Sequence, residues 1–265
     1  MLKKSLIKFH WLASSQFGLD PLLFLRSLRG LPRFAYDWLK FRRSYSGSLT
    51  WMPCLHDRYE EGGATKNEYF WQDLLVARWV FDANPLRHVD IGSRVDGFVA
   101  HVASFRNIEV FDVRPISTQI PGVLFKQADL MNKESLPNSD DGYCDSLSCL
   151  HAIEHFGLGR YGDPIDPKGY EWGIANMALL LKPGGVFYLS TPIGCERVEF
   201  NANRVFDPRN LIRLANGHGL MLKQLSVIGS GGEVRVVQVN AETLQELAAT
   251  TYNLGIFIFS KTNSS

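Results

Sequence analysis

The amino-acid sequence predicts an α/β protein with a doubly wound, mostly parallel sheet of about seven strands. From Arg87 onward, short apolar runs alternate with helical patterns, and the first apolar run is His88–Ile91. Such alternation is typical of parallel strands joined by right-handed crossover helices. Two segments about ninety residues apart, HVDIG at 88–92 and LKPGG at 181–185, indicate the two ends of one nucleotide-binding sheet.

The first of these segments ends a strand in an acid and a glycine. A turn at Gly92 brings the backbone close to a ligand, because a side chain there would block the approach. In the second segment, Pro183 is expected to stop a helix over 172–181, and Gly184 and Gly185 to supply a positive-φ turn into the next buried strand.

The remaining elements follow from hydrophobic periodicity and capping patterns. Thr65, with Glu68 three residues later, has the spacing of a capping box and predicts a helix through Val80. Asp207 and Pro208 open another helix through residue 214. We expect helices at 65–80, 95–105, 172–181 and 207–214, and strands at 88–91, 108–113, 123–125, 146–150, 186–190, 220–228 and 254–259, with the last strand antiparallel.

The N-terminal segment has a different composition. The chain carries +1 in total and residues 1–43 carry nine Lys or Arg against two Asp, so this segment is +7 and the remainder is −6. We expect helical pieces at 22–28 and 34–41, broken by Gly30 and Pro32. The chain therefore divides into a basic helical extension with linker, residues 1–63, and a main domain, residues 64–265. The extension is either a helical cap packed on the main domain or an amphipathic anchor at a membrane surface.

Length and composition limit the number of domains and the kinds of partner that the protein can have. The 265 residues, 45% of them hydrophobic, suit one substantial domain with an additional lobe. No apolar run approaches the roughly 20 residues that span a bilayer, which predicts a cytoplasmic protein, at most at the inner face of the membrane. The acidic main domain has no basic stripe with interleaved aromatic residues, which argues against a nucleic-acid partner.

The segments HVDIGSRVDG and LKPGG together resemble the class I superfamily of S-adenosylmethionine-dependent methyltransferases. Residues 50–230 also resemble an uncharacterised bacterial family within it. The resemblance implies a Rossmann-like methyltransferase sheet and S-adenosylmethionine as the cofactor. It further implies cofactor-binding positions on four successive strands, which in this sequence are Asp90, Gly92, Ser93, Arg94, Gly97, Asp112, Val113, Asp129, Leu130, Cys149 and Leu150.

Two of these positions have specific expected roles. Asp112 lies 22 residues after Asp90, where a carboxylate can accept hydrogen bonds from both ribose hydroxyls. Asp129 matches the superfamily acid that reaches the exocyclic amine of adenine. A dinucleotide-dependent oxidoreductase would share Asp112, but it normally keeps a GxGxxG pattern that residues 92–97 do not have.

Arg94 departs from the superfamily pattern because it stands where a second glycine is common. Its guanidinium either pairs with the carboxylate of the cofactor's methionine part or closes the pocket. The second case supports an alternative function, a catalytically silent, methyltransferase-like binding module.

The sequence His151-Ala152-Ile153-Glu154-His155 follows the predicted fourth strand, at the edge where ligands bind in open α/β sheets. Methylation of an alcohol requires a base to take its proton, and histidine suits this role near neutral pH. We predict His155 as the catalytic base, with His151 and Glu154 as further catalytic candidates. Two alternatives remain: the HxxEH spelling of an inverted zinc-protease motif, and histidines that only brace the loop.

Two polar segments complete the predicted site. Residues 156–167 form a glycine-punctuated loop, and residues 200–204 follow the fifth predicted strand. Both lie at the reactive edge of the sheet, where a sugar or an acidic group would bind. The predicted substrate-binding residues are Arg160, Tyr161, Asp163, Asn203 and Arg204. The most favoured activity is methylation of an oxygen of a small molecule or glycan. The glycan and a place in polysaccharide biosynthesis are implied by a resemblance: residues 17–43 resemble the leaders of bacterial methyltransferases linked to surface-polysaccharide assembly. We expect no bound metal.

Overall fold

The computed structural model describes residues 9–60, 62–63, 65–137, 141–229 and 231–262. The first eight residues of the predicted N-terminal extension lie outside these ranges. The chain forms two compact units that divide between residues 64 and 65.

The N-terminal unit is built on one long helix, α1 (Pro21–Ser44). The carboxylate of Asp20 caps it by accepting hydrogen bonds from the backbone N–H groups of Leu22 and Leu23. We expected Gly30 and Pro32 to break the helix, and this expectation was wrong. Gly30 is buried where any Cβ atom would collide with the backbone of Leu55, so its role is close packing. Pro32 lies inside the helix, which continues past it to Ser44.

The second unit contains a sheet of eight strands, one more than predicted. The strands are β1 (His88–Ile91), β2 (Ile108–Asp112), β3 (Val123–Gln127), β4 (Cys144–Leu150), β5 (Leu181–Ile193), β8 (Leu220–Ile228), β9 (Val234–Val237) and β10 (Asn253–Lys261). Their order in the sheet is β3-β2-β1-β4-β5-β10-β8-β9. Neighbouring strands from β3 to β5 are parallel, and β10 is antiparallel to both β5 and β8. This arrangement confirms the predicted doubly wound, mostly parallel sheet.

Helices cover both faces of the sheet and complete two buried clusters. On one face, α2 (Glu68–Ala83) and the helical segment 95–103 pack with Val76, Val80 and Phe98 inside. On the other face lie α4 (Gly169–Leu180), α5 (Pro208–Gly217) and α6 (Ala241–Ala249). The short α3 (Ala100–Ala103) continues the π-helical turn Val95–Val99.

Several predicted boundaries differ from the structure. Helix α2 begins at Glu68, because the side chain of Asn67 and not Thr65 caps it. Helix α4 ends at Leu180, so Pro183 lies beyond its end, within β5, and only Gly184 of the two glycines has a positive φ, +76°.

Three strands were not predicted from the sequence. The edge strand β9 is short and mostly exposed, and before it the N–H of Gly229 donates a hydrogen bond to the carbonyl of Glu233. A two-stranded hairpin, β6 (Arg197–Glu199) and β7 (Asn203–Val205), replaces the expected loop after β5, with Asn201 at φ +63° in its turn. Such short pairings leave little periodicity in a sequence.

Phe187→Ala is expected to lower the free energy of unfolding by about 3–5 kcal/mol, because the ring is fully buried and stacks with Phe259. Leu124→Ala, on the exposed side of β3, should change it by less than about 0.5 kcal/mol. Urea denaturation of both variants measures the difference. Equal losses of unfolding free energy in the two variants would contradict the idea that the buried ring of Phe187 stabilises the fold.

Candidate functional site

A cleft of about 270 Å³ opens beyond the carboxyl ends of the parallel strands. Each of the five strands contributes lining residues, among them Gly92 after β1, Asp112 in β2, Asp129 after β3, His151 after β4 and Pro192 in β5. The strand order reverses between β1 and β4, and clefts at such switch points are where α/β sheets bind ligands.

The turn at the end of β1 is held in place by hydrogen bonds to a buried carboxylate. Asp90 is fully buried and accepts hydrogen bonds from Ser93 Oγ at 2.6 Å, Ser93 N at 3.0 Å and Ser148 Oγ at 2.5 Å. Burial raises the pKa of Asp90 to about 7. Above it, Gly92 has φ +67°, a conformation that other residues rarely adopt. Asp90 therefore shapes the cleft without lining it.

Asp112 lines the cleft at the end of β2 and already has a partner. Its carboxylate accepts hydrogen bonds from the backbone N–H of Arg114 at 2.8 Å and from Nη2 of Arg114 at 2.9 Å. Pairing with Asp112 raises the pKa of Arg114, whose guanidinium also lies 4.3 Å from the ring centre of Tyr161. About half of the Arg114 side chain is exposed, so it can move aside for a ligand.

The wall beside Asp112 is largely apolar. Phe111, Val113, Leu130 and Met131 line it, and Asp129 stands among them. One carboxylate oxygen of Asp129 accepts a hydrogen bond from the N–H of Met131 at 2.9 Å, which fixes the turn after β3. The combination of an apolar wall and a carboxylate suits an aromatic base with an exocyclic amine.

His151 is held as a cation between two carboxylates. Its Nδ1 lies 2.7 Å from Glu154 Oε1, its Nε2 lies 3.5 Å from Glu68 Oε1, and its ring stacks on Tyr69 at 4.4 Å. Burial opposes the charge, but Glu154 and Glu68 outweigh it and raise the pKa of His151 to about 9. Its backbone has φ +51°, an uncommon strained conformation. An imidazolium cannot accept a proton, so the geometry argues against His151 as a base.

His155, in contrast to His151, is a neutral imidazole. Burial lowers its pKa, and its Nδ1 donates a hydrogen bond to the carbonyl of Ala202 at 2.7 Å. That bond places the proton of the neutral ring on Nδ1 and leaves the lone pair of Nε2 available. Nε2 is 3.8 Å from Glu154 Oε1, so a proton taken up there would be stabilised by this carboxylate.

The loop after His155 places further polar groups at the cleft. The carboxylate of Asp163 accepts hydrogen bonds from the backbone N–H groups of Gly157, Gly159 and Tyr161, so it organises the loop. Arg160 donates to the carbonyl of Ala202 and lies over the ring of Tyr161 at 5.2 Å. Together with Asn203, these four predicted substrate-binding residues line the cleft.

Other predicted site residues lie outside the cleft lining. Arg204 is buried, where it donates hydrogen bonds to three backbone carbonyls, those of residues 154, 156 and 167, and its position indicates a structural role. The remaining cofactor-binding candidates that do not line the cleft are Asp90, Ser93, Gly97, Cys149 and Leu150. All of these except Gly97 are buried in or under the turns after β1 and β4, because a strand end hides the residues whose side chains point into the core.

Arg94 does not fill the cleft. Its guanidinium pairs with Asp96 at 2.7 Å and lies 5.3 Å from the ring centre of Tyr69, and about half of the side chain is exposed. The argument for a closed pocket therefore loses its basis.

Sequence reasoning missed three cleft residues on elements outside the nucleotide-binding half of the sheet. Glu68 and Tyr69 start α2, and Tyr252 precedes β10 and donates a hydrogen bond to Glu68 at 2.7 Å. Burial raises the pKa of Tyr69 to about 12. Glu68 was noted only as a capping residue, and no local pattern marks Tyr252.

The zinc-protease alternative required the HxxEH segment within a helix. Residues Ile153–His155 instead form one 3₁₀ turn directly after β4. Among the residues that the structure describes, the group that could hold a metal ion is His56, Asp57 and Glu60, which lies in the N-terminal unit. The HxxEH segment does not have the geometry of the zinc motif.

A family model described as "Caenorhabditis protein of unknown function, DUF268" matches residues 129–261, half of the chain. This description differs from the expected bacterial family. No curated protein matches the sequence.

Solved structures share the fold at low sequence identity. A 1,6-didemethyltoxoflavin-N1-methyltransferase of Burkholderia thailandensis, crystallised with S-adenosylhomocysteine, is 12% identical with a TM-score of 0.50, over 88% of this chain and 91% of that one. The [4+2]-cyclase SpnF is 15% identical with a TM-score of 0.53, over 83% of this chain and 86% of that one. These similarities establish the methyltransferase fold.

His151 should lose its contribution to stability as the pH rises. Because its folded pKa is raised, the contribution is complete below the unfolded value near 6.5 and disappears as the pH passes about 9. The wild type should therefore lose about 1–3 kcal/mol of its unfolding free energy relative to His151→Gln between these limits. Urea denaturation at several pH values measures this. A constant difference would mean that His151 is neutral, and Glu154→Gln should shrink the effect.

Proposed function

The chain belongs to the DUF268 family, and from this premise we propose that it transfers a methyl group from S-adenosylmethionine to an oxygen of a small molecule or glycan. The observation that carries the proposal is the pairing of an apolar cleft wall flanked by Asp112 and Asp129 with a neutral histidine at the same sheet edge. The fold is compatible with this activity, and the methyltransferase of Burkholderia thailandensis with that fold was crystallised with the demethylated cofactor.

The cleft residues fit the proposed cofactor. Gly92 would allow close approach at the end of β1, Asp112 would accept hydrogen bonds from the ribose hydroxyls, and Asp129 would accept a hydrogen bond from the exocyclic amine of adenine. Leu130 and Met131 would cover the faces of a base. Arg114 occupies most acceptor positions of Asp112, so we expect its guanidinium to swing out on binding.

The bound cofactor would supply an electrophilic methyl group on a sulfonium centre. An acceptor hydroxyl in the cleft would pass its proton to Nε2 of His155 while its oxygen forms the new bond to the methyl carbon and the sulfur–carbon bond breaks. Glu154 would stabilise the resulting imidazolium. His151, fixed as a cation, would orient Glu154 and so act as a positioning residue.

The acceptor class is suggested by the outer part of the cleft. Tyr161 offers an aromatic ring on which a sugar could stack once Arg114 has swung away from it, while Arg160 and Asn203 offer hydrogen-bond donors. These groups support a hydroxyl-rich acceptor.

Asp112→Ala should weaken binding of S-adenosylhomocysteine about 10- to 100-fold, because the hydroxyl groups lose a charged acceptor. Calorimetry on the purified full chain measures this, and Asp82→Asn, an exposed carboxylate on α2, is the matched control. Folded wild type that releases no heat with S-adenosylmethionine or S-adenosylhomocysteine would contradict the enzyme proposal and favour the binding module.

His155→Ala should lower turnover about 100- to 10,000-fold and leave cofactor affinity unchanged, because only the proton acceptor is lost. S-adenosylhomocysteine release is followed with a panel of free sugars, sugar nucleotides and phenols. Since burial lowers the pKa of His155, wild-type turnover should decline only on the acidic side of the ordinary value near 6.5. His101→Gln, outside the cleft lining, should keep full turnover. Full activity of His155→Ala would remove the proposed base.

A further inference from the structure

We infer that helix α1 binds in the plane of an anionic lipid surface. This inference is separate from the function proposed for the cleft. The docking surface is an apolar stripe formed by Phe24, Leu28, Leu31, Ala35 and Leu39. Their spacing of four, three, four and four residues places them on one side of the helix.

The stripe is exposed along its whole length. Phe24 is 63% exposed, Leu39 53%, Leu28 44% and Leu31 43%, and Leu25 next to the stripe is 61% exposed. A continuous row of large apolar side chains in water is costly, and such rows mark interaction surfaces. The row from residue 24 to 39 is about 22 Å long at the rise of an α-helix.

A basic row lies on the polar side of α1, roughly 150° around the helix axis from the stripe at 3.6 residues per turn. Arg26, Arg29, Arg33 and Lys40 follow one another at helical spacing, and Arg42 and Arg43 end the helix. Asp37 is the one acidic residue in α1, and it pairs with Arg33 at 2.9 Å. This charge matches anionic headgroups, and long arginine side chains can reach them while the helix lies at the interface.

The remaining side of α1 is covered by its own unit. Gly30 packs against Leu55, and Trp51 makes edge-to-face contacts with Phe34 at 5.7 Å and Trp38 at 5.6 Å. Arg58 lies 3.8 Å from Asp37 on the same side. The stripe and the basic row are therefore the surfaces that this packing leaves open.

Lipid fits this surface better than a protein groove does. The apolar row and the basic row lie on nearly opposite sides of α1 and are about equally long, as in helices at the headgroup boundary that have one apolar side and one polar side rich in Lys and Arg. None of the helices in the described ranges has both the length and the apolar character to cross a bilayer.

The test is sedimentation of the full-length protein with vesicles of phosphatidylcholine containing 30% phosphatidylserine. The wild type should bind these vesicles, and binding should fall at least tenfold with phosphatidylcholine alone or at high salt. Phe24→Ser/Leu28→Ser/Leu31→Ser should lose binding at least tenfold. Arg26→Gln and Lys40→Gln should each weaken it about fivefold.

The matched control is Leu86→Ser/Leu124→Ser/Leu179→Ser, which removes three exposed leucines from the second unit. It should bind like the wild type, and circular dichroism should show that all variants keep their helix content. Absence of wild-type binding, or equal binding by the stripe variant, would overturn the inference. So would a dimer in light scattering that only the stripe variant dissociates while vesicle binding persists, because the occupant would then be a second copy.

Discussion

The cleft depends on one buried interaction, the carboxylate of Asp90 shared between β1 and β4. Ser148 on β4 and Ser93 in the turn after β1 both donate to it, and the Oγ of Ser93 in turn accepts the N–H of Leu150 at 3.1 Å. These bonds tie the two strands at the point where the strand order reverses. They also leave Gly92 as the residue that faces the cleft.

The electrostatics of the site rest on a division of labour between two histidines four residues apart. His151 lies between Glu154 and Glu68 and is protonated on both ring nitrogens. His155 donates a hydrogen bond from Nδ1 to a backbone carbonyl, so the lone pair of its Nε2 stays available. Glu154 touches both rings and is almost fully buried. Burial opposes the charge of Glu154, yet the two histidines hold its pKa below the ordinary value. The carboxylate of Glu154 thus interacts with both histidine side chains, and the proposed reaction uses both interactions.

The fold alone does not define the chemistry. A methyltransferase and a [4+2]-cyclase both share it with this chain, at 12% and 15% identity. Function in such folds resides in the residues at the strand ends. The proposal therefore rests on His155, Asp112 and the apolar wall rather than on the sheet.

The sequence alone determined the doubly wound sheet, because apolar runs and glycine turns are local patterns that set strand and crossover positions. It also indicated Gly92, Asp112, Asp129 and His155 as cleft residues, since each follows a strand in the parallel half of the sheet. The helix in the N-terminal unit and the edge strand β9 were not determined in this way. Gly30 packs against the backbone of Leu55, a contact that no local pattern marks, and β9 is a short edge strand.

Only the tertiary structure decided the charge states of the cleft. Glu68 and Tyr252 are 184 residues apart, yet they meet in one hydrogen bond beside His151. Arg94 forms an ion pair with Asp96, and Arg204 is buried and donates to backbone carbonyls, although the sequence predicted both as ligand contacts. A pKa depends on burial and on every nearby charge, and those distances exist only once the chain has folded.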